Sequence, residues 1–335
     1  MIINPYRFAV AGYGNDFAMR FTTTGASETL TIPCQNYGVF SATIDWGDGG
    51  ATSSITTWND ADLSHVYADA GDYDVRISGT FPNIRFNSSG DRLKLKQIYQ
   101  FGSVGLGNLA NAFYGCTNLT SACTEPVNNV SAVLNMTYLF RDCTSLATLD
   151  ASGWNTAAVT TMDFMFFHCS ALTALDVSGF NTASVTTMHN MFNDCSTLTA
   201  LDVSGFNTAI VNSMRNMFYL CSGITTLDVT GFNTSSVTTM EGMFYQATGL
   251  TDVAIDGFNI ANVTTLTSFM NGLTLPTARY DATLIAWDAQ VVKPSLTPNF
   301  GGSKYSTASP QTAAEIARAS LVSGDSWTIT DGGAA

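Results

Sequence analysis

Asp150, Asp176, Asp202 and Asp228 occupy one place in a phrase that returns every 26 residues. Such a column of carboxylates could do chemistry. If the phrase folds into stacked units, equivalent residues lie roughly 5 Å apart. Hard cations take several carboxylate oxygens, so one reading is a cation ladder. In the other, each Asp accepts hydrogen bonds from nearby turn N–H groups or from Ser and Thr hydroxyls. One carboxylate per unit is a poor ligand set, which favours the second reading. Asn155, Asn181, Asn207, Asn233 and Asn259 form another column. They read as a buried ladder satisfying turn backbone groups, or as a row of sugar-binding amides. Asp45, Asp48 and Asp72 sit in glycine-containing turns nearer the N-terminus, as Ca²⁺ ligands or as turn caps.

Catalytic patterns do not emerge. His65, His168 and His189 are scattered without zinc spacing. There is no G-x-S-x-G, no phosphate-binding loop and no paired catalytic carboxylates. Gly105-Leu106-Gly107 lacks the rest of a dinucleotide fingerprint. The expectation is a non-enzymatic protein with no cofactor and no bound metal. A glycan hydrolase built on the repeat would need an acid/base constellation that the columns do not offer.

The phrase that positions these residues reads L-x-x-L-D-x-S-G-[FW]-N-T-x-x-V-x-x-M-x-x-M-F-x-x-C from Leu146 onward. A fixed period in this range marks stacked supersecondary units. In one unit, Leu175-Asp176-Val177-Ser178 alternates as a short strand does, and Gly179-Phe180-Asn181-Thr182 turns the chain. Val185, Met188, Met191, Phe192 and Cys195 follow at helical spacing, with Thr186 and Thr187 as caps. The expected fold class is therefore an α/β repeat solenoid of strand-turn-helix coils. The Met column (Met162, Met188, Met214, Met240) and the Phe column (Phe166, Phe192, Phe218, Phe244) form its core. Cys143, Cys169, Cys195 and Cys221, with Cys116 before them, share one column. Stacked cysteines fall within bridging range, but their setting beside Met and Phe favours buried, reduced thiols.

Four regions are expected. Residues 1–14 form an N-terminal arm. Residues 15–92 are all-β, since Phe17–Phe21, Leu30–Ile32 and Tyr73–Ile77 alternate apolar and polar. Residues 93–275 hold about seven coils, decaying at the end where Ala247 replaces Cys. Residues 276–335, punctuated by Pro276, Pro294, Pro298 and Pro310, form a C-terminal cap with helices near 280–290 and 312–322 and a last strand at Trp327–Thr330.

Bulk composition narrows the function classes. Of 335 residues, 12% are charged and 45% hydrophobic, a core-forming balance. With 13 basic against 26 acidic residues the net charge is −13. That leaves no electrostatic footprint for nucleic acid and repels anionic membranes. No apolar run approaches the ~18–20 residues of a spanning helix. The N-terminus lacks the pattern of a secretion signal, so assembly in a cytoplasm is expected.

Two resemblances sharpen this reading. Ile44-Asp45-Trp46-Gly47-Asp48-Gly49, then Ser64-His65-Val66-Tyr67, then Gly71-Asp72-Tyr73-Asp74-Val75 resembles the polycystic-kidney-disease (PKD) type of immunoglobulin-like domain. This implies a small β-sandwich with a spacing or adhesion role, and makes His65 structural. The repeat at about 93–275 resembles the BspA-like bacterial surface repeat, a leucine-rich-repeat relative, through L-D-V-S-G-F-N-T, V-T-x-M and M-F-x-x-C. That implies an LRR-like stack on a surface or adhesion protein of bacteria and phages. The opening Ile-Ile-Asn-Pro-Tyr-Arg-Phe is similar to the start of some phage virion proteins.

What varies between coils marks a candidate recognition face. Asp163, His189, Arg215 and Glu241 share one outward column, followed by His168, Asp194, Tyr219 and Tyr245. Either this face recognises a partner while Asn181, Asn207, Asn233 and the cysteines hold the stack, or unconstrained surface positions drift. The expected function is a structural and adhesive protein of a phage particle (fibre, tail or capsid decoration), located in the virion. Its expected partners are other virion proteins through the N-terminal region, a host surface glycan or protein, and further copies of itself. A bacterial cell-surface adhesin is the alternative. Deleting residues 1–92 is expected to abolish incorporation and leave a folded repeat.

Overall fold

Phe17, Met19 and Phe21 are fully buried along a strand whose Arg20 and Thr22 are more open, and they anchor the sheet that organises the molecule. The computed structural model describes residues 12–123 and 129–335. Strand β1 (Phe17–Thr23) pairs antiparallel with β6 (Gly71–Thr80), from Phe17↔Ile77 to Thr23↔Gly71. β3 (Ser41–Asp45) adds to β6, and β4 (Ser53–Ile55) adds to β3. A second sheet of two strands joins β2 (Glu28–Thr31) to β5 (Ser64–Tyr67). On its other edge β1 pairs antiparallel with β7 (Leu95–Gln100).

From β7 onward the sheet turns parallel. β8 (Ser121–Ala122), β9 (Thr148–Asp150) and β10 (Ala174–Asp176) each pair with the strand one unit earlier. The result is one mixed sheet of eight strands in the order β10-β9-β8-β7-β1-β6-β3-β4. It passes through the residue 92/93 boundary without interruption. One hydrophobic core runs from Phe17 to Trp327.

The expected strand-turn-helix solenoid is overturned. Among the described residues there are two α-helices, α1 (Thr277–Asp288) and α2 (Ala313–Ser323), and neither lies in a repeat. The Met-Phe-Cys segments are runs of tight turns. Met165, Phe167 and Cys169 donate to the carbonyls of Met162, Phe164 and Phe166, three residues back rather than four. Phe164 and His168 adopt left-handed φ of 55° and 58°, and Asn190 and Asp194 repeat this at 55° and 58°. A left-handed residue every fourth position cannot belong to an α-helix.

The remaining N–H groups reach the next coil instead. Met188, Asn190, Phe192 and Asp194 donate to the carbonyls of Ser213, Arg215, Met217 and Tyr219 at 3.1, 2.9, 3.0 and 2.7 Å. Polar backbone groups are thus satisfied between coils, as burial demands. The apolar columns stack behind them. Phe140, Phe166, Phe192, Phe218 and Phe244 form a ladder with ring centroids 5.7–6.0 Å apart. All are fully buried, each contributing about 1.5–3 kcal/mol relative to exposure.

The C-terminal region closes the last coil. Trp287 of α1 donates its indole N–H to Ile255 O at 3.3 Å, and its ring meets Phe269 and Phe300. Gln290 accepts from Ile260 N at 2.8 Å and donates to Phe258 O at 2.9 Å. α2 starts with a capping box between Thr312 and Glu315. Asp331, its side chain 3% exposed, takes hydrogen bonds from Tyr280 Oη and Arg318 Nε at 2.7 and 2.8 Å. At Trp327–Thr330 the chain makes a single bridge, Asn299↔Thr330, and no strand.

Candidate recognition face

The turn runs give the repeat two left-handed residues per coil, and these set the direction of the side chains beside them. The eight residues singled out in the sequence all belong to these runs and meet in pairs across neighbouring coils. Asp163 accepts from Thr187 Oγ1 and from His189 N, both at 2.8 Å. His189 packs its ring on Phe164 with centroids 4.9 Å apart, and burial holds its imidazole below the usual histidine range. Arg215 pairs with Glu241 at 3.1 Å. His168 bridges Asp142 at 3.0 Å and Asp194 at 3.7 Å. Tyr219 and Tyr245 stack at 4.4 Å and 9°.

Sequence reading missed an aromatic cluster at the start of this face. The Arg141 guanidinium lies 5.0, 5.0, 5.5 and 4.9 Å from the rings of Tyr114, Tyr138, Phe164 and Phe167. Cation–π contact of this kind favours a desolvated arginine. The available signal was the clustering of aromatics two residues before Cys116 and Cys169 and five residues before Cys143 and Cys169.

The other columns resolve into turn chemistry. Asp150, Asp176, Asp202 and Asp228 each accept from the backbone N–H and the hydroxyl of Ser152, Ser178, Ser204 or Thr230, two residues on, at 2.6–3.0 Å. Those hydroxyls hold Asp202 and Asp228 below the usual carboxylate range. The asparagine column is exposed. Asn155, Asn181, Asn207, Asn233 and Asn259 cap the N–H two residues on at 3.0–3.2 Å. The buried ladder belongs to their neighbours. Thr156, Thr182, Thr208 and Thr234 donate their hydroxyls to the carbonyls of Asn181, Asn207, Asn233 and Asn259, 2.9–3.0 Å away.

Near the N-terminus, Asp45 and Asp48 cap Gly47 N and Gly50 N at 3.0 and 2.9 Å, and Asp72 accepts from Thr22 Oγ1. His65 stacks on Trp46 at 5.1 Å and pairs with Asp48 at 2.7 Å. Among the described residues no group of three or more His, Cys, Asp or Glu is placed to hold a metal ion. No helix among them is long and apolar enough to cross a membrane. The opening Ile-Ile-Asn-Pro-Tyr-Arg-Phe and the rest of 1–11 lie outside the described residues.

One family model matches the chain three times, over residues 83–199, 107–226 and 167–282. Its description is a Mycoplasma protein of unknown function, DUF285. Together the matches span 83–282, more than half of the chain. The chain belongs to this family. The overlap of successive matches marks DUF285 here as a repeat-containing family, in keeping with a surface repeat protein. No curated protein matches the chain, and no solved structure does.

Proposed function

We propose that this DUF285 chain is a non-enzymatic attachment protein whose stacked coils display a variable face, carried on a phage particle as a fibre, tail or capsid decoration. The observation that carries the reading is the contrast within one coil. The Phe, Met and Cys columns and the inter-coil hydrogen bonds repeat, while the column Asp163, His189, Arg215, Glu241 changes chemical character at every step. Repeat stacks with a constant core and a changing face suit extended recognition surfaces. The finer likeness to BspA-like surface repeats behind a PKD-like region supports display. Partners on this reading are other virion proteins at the N-terminal region, a host surface glycan or protein at the variable face, and further copies of the chain. Chemistry at the columns is disfavoured, because their carboxylates and amides are engaged in turns.

A bacterial cell-surface adhesin is the second reading, and the family's description as a Mycoplasma protein favours it. Mass spectrometry and immunogold labelling of purified particles separate the two. Stoichiometric presence in intact particles, with label on tail or capsid, supports the phage reading. Absence from particles with label on the cell envelope overturns it in favour of the adhesin.

A further inference from the structure

Five positions before Cys143, Cys169, Cys195 and Cys221 stand Tyr138, Phe164, Asn190 and Asn216, all at left-handed φ of 51–60°. In the next coil that place is Gly242, with φ of 58°. The conformation is the same and the side chain is gone. A Cβ there would lie 2.3 Å from Asn216 Oδ1 and 3.3 Å from Tyr219 Cδ2. Gly242 lies in the wall of a depression of about 400 Å³ on the variable face, with Asn216, Tyr219, Glu241, Tyr245 and Ser268. That volume falls within the roughly 300–1,000 Å³ of small-ligand sites.

The lining selects a class of ligand. Glu241 is its one acidic group, and Arg215 lies 3.1 Å from it, so the wall carries no unmatched charge for an ion. Tyr219 and Tyr245 stack nearly parallel, offering aromatic surface and phenol hydroxyls. Burial pushes the Tyr219 phenol up, which keeps it a neutral donor. An amide from Asn216, a hydroxyl from Ser268 and a carboxylate edge complete a set of hydrogen-bonding groups around aromatic planes. A neutral pyranose matches this: one face of C–H groups for dispersion contact with a ring, and a rim of hydroxyls that both donate and accept.

We propose that the depression at Gly242 is a subsite for a neutral hexose or N-acetylhexosamine unit of a surface glycan, packed against the Tyr219–Tyr245 pair. The inference rests on the variable face being a recognition surface and names what that face recognises.

The test applies the full chain to an array of neutral hexose and N-acetylhexosamine oligosaccharides. Two variants accompany it, Gly242→Asn and Tyr245→Asn. Each restores a residue that the same column already carries, Asn216 and Asn193 one and two coils earlier; at Gly242 the new Cβ has only to displace the end of the flexible Asn216 side chain, so folding is expected to persist. Saturation-transfer NMR on the wild type adds a readout independent of both variants, with transfer expected between sugar C–H protons and tyrosine rings. The expected result is retention of neutral glycans by the wild type, weakened about tenfold or more in either variant. No retained glycan, or retention that both variants leave unchanged, overturns the subsite. Localisation on particles or cells is measured separately, so the attachment reading can survive that failure, and loss of attachment can be seen without it.

Discussion

The thiol of Cys195 donates a hydrogen bond to the carbonyl of Phe166, 3.2 Å away and one coil earlier. Cys143, Cys169 and Cys221 do the same to Phe113, Phe140 and Phe192 at 3.2, 3.2 and 2.9 Å. Each cysteine therefore fills core space and stitches one coil to the one before. All seven cysteines are free thiols. Burial pushes Cys221 and the half-buried Cys34 up to about 12, and raises the Cys169 and Cys195 thiols as well. A thiol held protonated is a poor nucleophile.

Native protein should react with a thiol-specific disulfide reagent far more slowly than urea-unfolded protein, in which all seven groups become available. Cys195→Ser keeps a donor for Phe166 O and should cost little. Cys195→Ala loses that donor and should lower stability by about 1 kcal/mol in urea titrations. Rapid labelling of the native column would contradict the packing described here.

Thr156 makes a two-way contact: its hydroxyl donates to Asn181 O at 3.0 Å and accepts from Asn181 N at 2.9 Å. Thr156→Val preserves shape and removes both bonds, leaving an N–H without its partner. A loss of roughly 1–3 kcal/mol is expected, while Thr156→Ser should stay near the wild type. Equal denaturation midpoints for the valine and serine variants would show that the hydroxyl ladder adds nothing.

Two acid steps should appear in stability. For His189, burial lowers the imidazole most, Asp163 and Glu241 oppose this, and Arg215 adds to it. The unfolded chain takes up this proton near about 6.5, whereas the folded chain resists it. Stability is thus unaffected above that value and falls as pH drops from it toward the lower folded value. His189→Gln should flatten the loss of stability that sets in below about pH 6.5, as read from urea midpoints. Asp202 and Asp228 behave in the other pattern, because Ser204 and Thr230 lower both. Their contribution is present above about 3.9 and disappears as pH falls through the folded values. Asp202→Asn retains an acceptor for the turn and should weaken that second step. An unchanged pH profile in both variants would refute these assignments.

The continuous sheet changes what a truncation should do. β1 lies along β7, with Met19↔Ile98 and Phe21↔Leu95 in register, and Phe86 packs on Phe113. A fragment beginning at residue 93 loses the neighbour of β7 and exposes an unpaired edge over an opened core. It should aggregate or unfold without a sharp transition in size-exclusion and circular-dichroism measurements. A monomeric, cooperatively folding fragment would show that the repeat stands without its N-terminal strands. Attachment is better probed by removing residues 1–11 alone, which leaves every described strand in place.

Much of this architecture was legible in the residues. The period was plain, the Met, Phe and Cys columns are buried, and the aspartates do serve their turns. The turn runs misled because Met162, Met165, Phe166 and Cys169 point inward at intervals of three, one and three, the same intervals an α-helix gives. Only backbone conformation separates the two. The clue lay in Asn190, Asn216 and Gly242, residue types that tolerate positive φ, but Tyr138 and Phe164 at the same place hid it. The asparagines were read one residue off: Thr156 and its equivalents carry the buried ladder, since a methyl and a hydroxyl on one side chain suit a site that is both apolar and in need of a donor. On the variable face, Asp163, Arg215 and Tyr219 were singled out by their variation. Arg141 and its four rings were not, because their kinship is spatial and spans three coils.

The hydrogen bonds running from Met188, Asn190, Phe192 and Asp194 to the following coil use backbone atoms alone. A junction of that kind does not depend on which coil it joins. Duplication or loss of one whole unit by unequal recombination would therefore leave both flanking junctions intact. Copy number becomes a heritable variable, and reach and the order of surface side chains can be reshuffled in a single genetic event without inventing a new interface.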